Sequence, residues 1–280
     1  MDFPSVTREV EGSSESDFDL SLVIPCFNEE SRLPHTLDES LRHLNECAYS
    51  WELIVVDDGS EDGTATIGRA AAENPHVRFL ELKHHGKAAA VRAGVHAARG
   101  KVIVFTDADL STPVHYVDDA VKLLSTDWDV VIGTREGKGA RRLGEPAYRH
   151  MMGRLFNYLV QLLAVRGLSD TQCGFKGFRS CVARDLFARA LLYRDASTVV
   201  RGPLVTGFDV ELLFLAHRQN YRLYQLPVTW THVAGSKVRP GADSLLMVRD
   251  ILKVRLNDLR RRYDRSPAPE IVSNLGSSES

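Results

Sequence analysis

KVIVFTDADLSTP, residues 101–113, is the stretch on which the reading of this chain turns. Its first half, KVIVFTD, runs apolar without alternation, as a strand covered on both faces must. Its second half turns acidic. Asp107 and Asp109 stand two residues apart on extended backbone, so both side chains can point to the same side. Ser111 and Thr112 then offer helix caps and Pro113 an early helical position, so strand, acidic turn and helix follow one another directly.

The same pattern repeats outward from this stretch. SLVIP (21–25), ELIVVDD (52–58), VRFLEL (77–82) and DVVIG (129–133) are further continuously apolar runs, with helix candidates starting near Glu30, Thr64 and Lys87 between them. Such alternation predicts an α/β fold with a mostly parallel central sheet flanked by helices. Ligands of open α/β sheets bind outside the carboxyl ends of the strands. Those ends here read PCFNEE, DDGSEDGT, DADLSTP and GTRE. None carries the GxGxxG turn that lets a backbone approach a dinucleotide, so a nicotinamide-dinucleotide fold is disfavoured. Carboxylates gather there instead.

With 280 residues and 44% hydrophobic content, the chain can bury a full core. Residues 19–263 are expected to form one domain, with a nucleotide-binding half (19–135) and an acceptor half (136–263). Residues 1–18 read as an acidic, disordered leader and 264–280 as a Ser- and Pro-rich disordered tail. The leader lacks the apolar segment of a secretory signal. A net charge of −2 argues against a protein that holds nucleic acid by overall charge. The four cysteines form no CxxC pair, which suits a reducing, cytoplasmic setting. The longest apolar-rich stretch, Leu155 to Val165, is too short to cross a bilayer, which takes roughly 20 residues.

Two carboxylates at the spacing of Asp107 and Asp109 can hold a divalent cation while one also contacts a ribose hydroxyl; alternatively, Asp109 only caps the helix that follows. Asp57 and Asp58, followed by Gly59 and Ser60, can read a pyrimidine by hydrogen bonding or simply form a turn.

Taken in order, PCFNEE, VVDDGSEDGT, HGKAAAVRAG, FTDADLSTP and IGTRE resemble the family 2 glycosyltransferases of the GT-A fold over roughly residues 20 to 260. The resemblance implies a nucleotide-sugar donor, a UDP-sugar, and Mg2+ or Mn2+. It implies that Pro25, Asn28, Glu29, Asp57 and Lys87 line the nucleotide pocket, and that Asp107 and Asp109 carry the metal and ribose contacts. Ala88 departs from the pattern, since the family often has glycine after the lysine.

The second half, with DTQCGFKGF (170–178), GFDVELLFLA (207–216), LPVTW (226–230) and GSKVRP (235–240), resembles the dolichyl-phosphate β-glucosyltransferase branch and its polyprenyl-phosphate relatives. By that resemblance Gln172 and Lys176 lie near the donor sugar or phosphate, while Phe175 and Phe178 pack a pocket wall or the core. Arg135, Lys237 and Arg239 are suited to the charge of a leaving diphosphate, and Ser236, Lys237 and Arg239 together to a phosphate; the alternative for that loop is a solvated turn.

A phosphate monoester acceptor, already dianionic at neutral pH, needs no strong base. A sugar hydroxyl does, and Asp209 and Glu211, at the start of a helix, are the candidates, although Asp209 can equally be a cap. The function expected is metal-dependent, inverting transfer of a sugar, glucose foremost, to a polyprenyl or dolichyl phosphate. A soluble or saccharide hydroxyl acceptor, or nucleotide-sugar binding without catalysis, are the alternatives. The last helix carries Leu245, Val248, Leu252, Leu256 and Leu259 at helical spacing and a basic end; it is expected either to dock on the domain or to offer that end to anionic lipid at the cytoplasmic membrane face.

Overall fold

The computed structural model describes residues 17–144, 151, 153–154, 157–158, 160–161, 165, 167–193, 207–233 and 242–264. The chain runs β1 (Phe18–Cys26), α1 (Leu33–Glu46), β2 (Trp51–Asp57), α2 (Thr64–Ala71), β3 (Val77–Glu81), α3 (Lys87–Ala97), β4 (Gly100–Phe105), α4 (Tyr116–Leu124), β5 (Val130–Thr134) and β6 (Arg141–Leu143). There follow β7 (Lys176–Arg179), α5 (Ser180–Arg189), α6 (Phe208–Arg218), β8 (Leu223–Pro227), β9 (Thr229–Thr231) and α7 (Ala242–Leu259). Seven strands form one sheet in the order β3-β2-β1-β4-β7-β5-β8, and β6 with β9 make a small second ribbon.

Two-sided burial explains the apolar strands. In β1, Leu20, Leu22 and Ile24 pack on the face covered by α1 and α4, whereas Val23 packs with Val91 and Val95 of α3 on the other. β1, β2, β3 and β4 pair in parallel, as do β5 and β8. The sheet is therefore mostly parallel, as expected.

β7 is the exception. It lies between β4 and β5 and is antiparallel to both, with Phe105 opposite Lys176 and Ile132 opposite the same lysine. Only the second half of DTQCGFKGF is committed to the core, as residues 176–179 form a strand inside the sheet. Phe178 within that central strand and Phe175 just before it are core residues, 0% and 1% exposed. The small side of this strand matters too: a Cβ on Gly177 would meet Leu124 at 3.0 Å, so glycine there lets α4 sit close.

Two local expectations are corrected. α4 begins at Tyr116 with His115 as its N-cap residue and no side-chain cap, so Ser111 and Thr112 are not its caps; both are buried in the turn after Asp109. In α7, the face turned to the core is Met247, Ile251 and Val254, spaced i, i+4, i+7. Leu252, Leu256 and Leu259, read from sequence as the docking stripe, are 54%, 43% and 76% exposed. The helix carries two apolar stripes and the domain covers only one. The side chain of Leu245, like Arg265, lies outside the described residues.

Candidate active site

The loops that leave β1, β2, β4 and β5 meet at one rim of the sheet. Asn28 adopts a left-handed backbone (φ 51°), and its amide donates to Ser60 Oγ at 2.8 Å while its Oδ1 accepts from the Glu61 amide at 2.8 Å. The Glu29 amide donates to Thr64 Oγ1 at 2.7 Å. The PCFNEE loop, with Pro25 buried at its root, is therefore stitched to the DDGSEDGT loop. Asp57 accepts from the Ser60 amide at 3.1 Å, and burial holds its carboxyl above the usual range.

Asp58 ties this pair of loops to the next one. Its carboxylate accepts from the amides of His85 and Gly86 at 2.9 and 2.8 Å and lies 2.7 Å from His84 Nδ1. The His84 ring stacks on Phe27 with centroids 3.9 Å apart. Neither the Asp58 hub nor this aromatic stack was evident from sequence, because the partners come from separate loops. A histidine and a phenylalanine beside turn residues are the faint signal.

Lys87, the first residue of α3, reaches the rim and pairs with Asp107 Oδ1. Burial opposes its charge, but Asp107, Asp209 and Asp109 outweigh that and push its pKa up. Asp107 is held below the usual carboxylate range, burial being outweighed by Lys87 and then by Lys176 and Arg135. Asp109 moves the other way, raised by burial and by the neighbouring charge of Asp107; its Oδ1 accepts from the Ser111 amide at 2.9 Å. The two carboxylates, both partly exposed, crowd one another in a way a cation would relieve. Hard oxygen donors at a strand end suit Mg2+ or Mn2+.

Gly174 makes the room. A Cβ at that position would lie 1.9 Å from Asp107 Oδ2, so any side chain displaces the carboxylate. Gly174→Ala is expected to lower transfer activity by about 10²-fold, as misplacement by an ångström can do. Overpacking costs about 1–3 kcal/mol, so the melting temperature should drop by several degrees without loss of folding. Activity close to wild type would show that the carboxylate does not need its present position.

Arg135, at the end of β5, grips Asp170 with Nε at 2.6 Å and Nη2 at 2.9 Å and lies 5.4 Å from the Trp230 ring. Burial pushes the Asp170 carboxyl up, yet Arg135 brings it down to about 2. The Asp170–Arg135 clamp opens onto a cleft of about 270 Å³ whose lining includes Arg142, Arg154, Asn157 and Gln172. The Gln172 side-chain nitrogen is buried without a hydrogen-bond partner. Asp170 and Gly174 were not singled out from sequence, although both stand in the DTQCGFKGF segment.

Three expected site residues are corrected and three more are unplaced. Lys176, expected beside the donor, is fully buried within the sheet, where its Nζ donates to the Cys173 carbonyl at 2.6 Å and pairs with Asp209 Oδ1 at 2.8 Å. That last contact is close but poorly directed for a hydrogen bond, so charge holds it. Asp209 thus belongs to the rim through Lys176 and Lys87, and makes no cap bond to its helix. Glu211 is no base for the site: it is buried, accepts from the Leu191 and Leu192 amides at 2.9 Å each and from Tyr263 Oη at 2.6 Å, and so anchors the chain behind α6. Ser236, Lys237 and Arg239 lie outside the described residues.

With this geometry in view, the likenesses are specific. Residues 21–187 match glycosyl transferase family 2. The dolichyl-phosphate β-glucosyltransferases of Dictyostelium discoideum and Drosophila melanogaster are 35% and 36% identical over 255 and 252 residues, covering 86% and 84% of this chain and 75% and 74% of theirs. The human protein of the same name is 34% identical over 256 residues, covering 86% of this chain and 76% of its own.

Among solved structures, the glucosyl-3-phosphoglycerate synthase of Mycobacterium tuberculosis, crystallised with Mn2+, UDP and glucosyl-3-phosphoglycerate, superposes with a TM-score of 0.59 at 19% identity, over 91% of this chain and 82% of that one. At that identity the likeness speaks for the fold, and the fold is GT-A. An acidic strand end beside a lysine-led helix, set in that fold and in a sequence match that begins in β1 and ends in α5, places this chain in glycosyl transferase family 2 as a glycosyltransferase.

Proposed function

We propose that this glycosyltransferase moves glucose from UDP-glucose to dolichyl or another polyprenyl phosphate, with inversion, at the cytoplasmic face of a membrane. The relatives' names support the sugar and the acceptor. The observation that carries the reading is the arginine-lined cleft next to the carboxylates. Arg135, Arg142 and Arg154 border it, as recognition of a phosphate requires, and Arg135 acts electrostatically on Asp107.

Asp107 and Asp109 would hold the divalent ion, Mg2+ or Mn2+, whose contribution is to neutralise charge on the departing diphosphate. The chain's own residues do the rest. The Asn28, Glu29 and Asp57 loops position the nucleoside, Lys87 fixes Asp107, and Gln172 offers its unpartnered amide toward the sugar. An acceptor phosphate oxygen attacks the anomeric carbon as the bond to the diphosphate breaks and UDP leaves with the electron pair. No proton has to be removed, consistent with Glu211 being committed to main-chain amides and Asp209 to Lys176.

Radiolabelled UDP-glucose with dolichyl phosphate in vesicles is expected to give an organic-extractable product, abolished by EDTA and restored by Mn2+ or Mg2+. Label passing only to water-soluble acceptors would overturn the lipid acceptor.

No helix among the described residues is long and apolar enough to cross a membrane. We place the membrane contact on α7, where Leu252, Leu256 and Leu259 stand exposed beside Arg249, Lys253 and Arg260. Replacing the three leucines by glutamine is expected to weaken co-sedimentation with anionic vesicles at least tenfold, since about 1.4 kcal/mol suffices for that and a fully buried leucine is worth about 1.5–3 kcal/mol. Transfer to a short, water-soluble prenyl phosphate should be unchanged. Undiminished vesicle binding would refute this contact.

A further inference from the structure

Away from the rim, the end of α1, the residues that follow it and the first turn of α4 bring four polar side chains together. His43 Nε2 lies 3.2 Å from each carboxylate oxygen of Asp118, and Cys47 Sγ lies 3.5 Å from Asp118 Oδ1. Tyr49 Oη donates to the same oxygen at 2.5 Å. One ligand atom from each of His43, Cys47 and Asp118 falls within 4.8 Å of the others, and among the described residues no other group of three such side chains does so. His43 stands in the last turn of α1 and Cys47 is its C-cap residue, with the Cys47 thiol 3.4 Å from the His43 carbonyl oxygen, so the helix end holds the two close together.

We propose that His43 Nε2, Cys47 Sγ and a carboxylate oxygen of Asp118 form a second metal site, of zinc type, that clamps α1 to α4. Zinc bonds of about 2.0–2.3 Å to N, O and S in a tetrahedron require ligand atoms a little over 3 Å apart, close to the spacings found. A thiolate with an imidazole selects Zn2+ over the hard cations that suit Asp107 and Asp109. Tyr49 supplies the outer hydrogen bond that orients a ligating carboxylate.

The fourth position is open to water. His43 borders a cleft of about 390 Å³ that also takes in His35, Glu39 and His115, which gives an ion a way in. Binding exchanges the thiol proton for the metal and releases it to solvent. Burial and the nearby acids push the Cys47 thiol up, so affinity should rise with pH. None of these residues belongs to the transfer site, so the clamp stands independently of the acceptor assignment.

Titrating the metal-free full chain with Co2+ in the presence of excess Mg2+ tests it. One equivalent should produce the near-ultraviolet thiolate-to-cobalt band and tetrahedral visible bands, both erased by Zn2+. Cys47→Ser and His43→Ala should lose the bands, whereas Cys181→Ser, on an exposed thiol, and Asp109→Asn should keep them. Tyr49→Phe should weaken Zn2+ binding about 10-fold, as the loss of an outer-shell partner does. Zn2+ should also raise the melting temperature of wild type and not of Cys47→Ser. A wild-type chain without the thiolate band, or a band that survives Cys47→Ser, would overturn the site.

Discussion

Asp109→Asn is expected to lower kcat/KM for sugar transfer by about 10³-fold, and to leave the protein at least as stable as wild type. On the proposed assignment one of the metal's two carboxylate ligands becomes neutral, and stabilisation of a departing diphosphate is worth several kcal/mol, each 1.36 kcal/mol being tenfold in rate. The retained stability follows from the crowding at the rim. Burial and Asp107 raise the Asp109 carboxyl above its ordinary value, so folding favours its protonated form. Its effect on stability is therefore most favourable below the unfolded pKa and is lost as pH rises through the folded one, which makes the ionised group a net burden at neutral pH. Asparagine removes that burden and still accepts the Ser111 amide. Thermal unfolding in EDTA at pH 7, beside steady-state assays, reads both halves. A variant that melts well below wild type would mean that the carboxylate is structural; full activity would remove the metal from this pair.

How much of this was legible in the sequence depends on whether a residue's role is local. β1, β2, β4 and β5 were readable because strands buried on both faces have no alternation to confuse them, the edge strand β3 was readable from its apolar run alone, and Thr64 and Lys87 do begin their helices. The acidic strand ends were readable because a strand's end is fixed by its own apolar run. β7 was not, since a lysine in a four-residue run looks like surface until its partner is known, and Asp209 stands 33 positions away. Glu211 misled for the same reason: every residue from Phe208 to Ala216 is buried, so an acid there must find amides, which come from Leu191 and Leu192. On α7, both leucine and methionine stripes fit helical periodicity, and only the domain's shape chooses between them. Gly174 gave no signal at all, because its reason is the carboxylate it must not touch.

That buried lysine carries the largest stability effect. Lys176→Met keeps a side chain of similar length in the core but leaves Asp209, 7% exposed, without its partner at 2.8 Å. Breaking a buried pair from one side costs about 3–5 kcal/mol, because the remaining charge is uncompensated. Chemical denaturation should show that loss, with the slope unchanged. Adding Asp209→Leu should return most of it, since two apolar side chains can replace a buried pair at little net cost. Activity should not return with the stability: Lys176 helps to hold Asp107 ionised and Asp209 helps to hold Lys87 charged, so the double variant lacks the field that sets the carboxylate proposed to bind the metal. A stable, inactive double variant would show that the pair is kept for the electrostatics of the rim. If the double variant were as unstable as Lys176→Met alone, the lysine's bond to the Cys173 carbonyl would be the dominant role, holding the turn that brings Gly174 under Asp107.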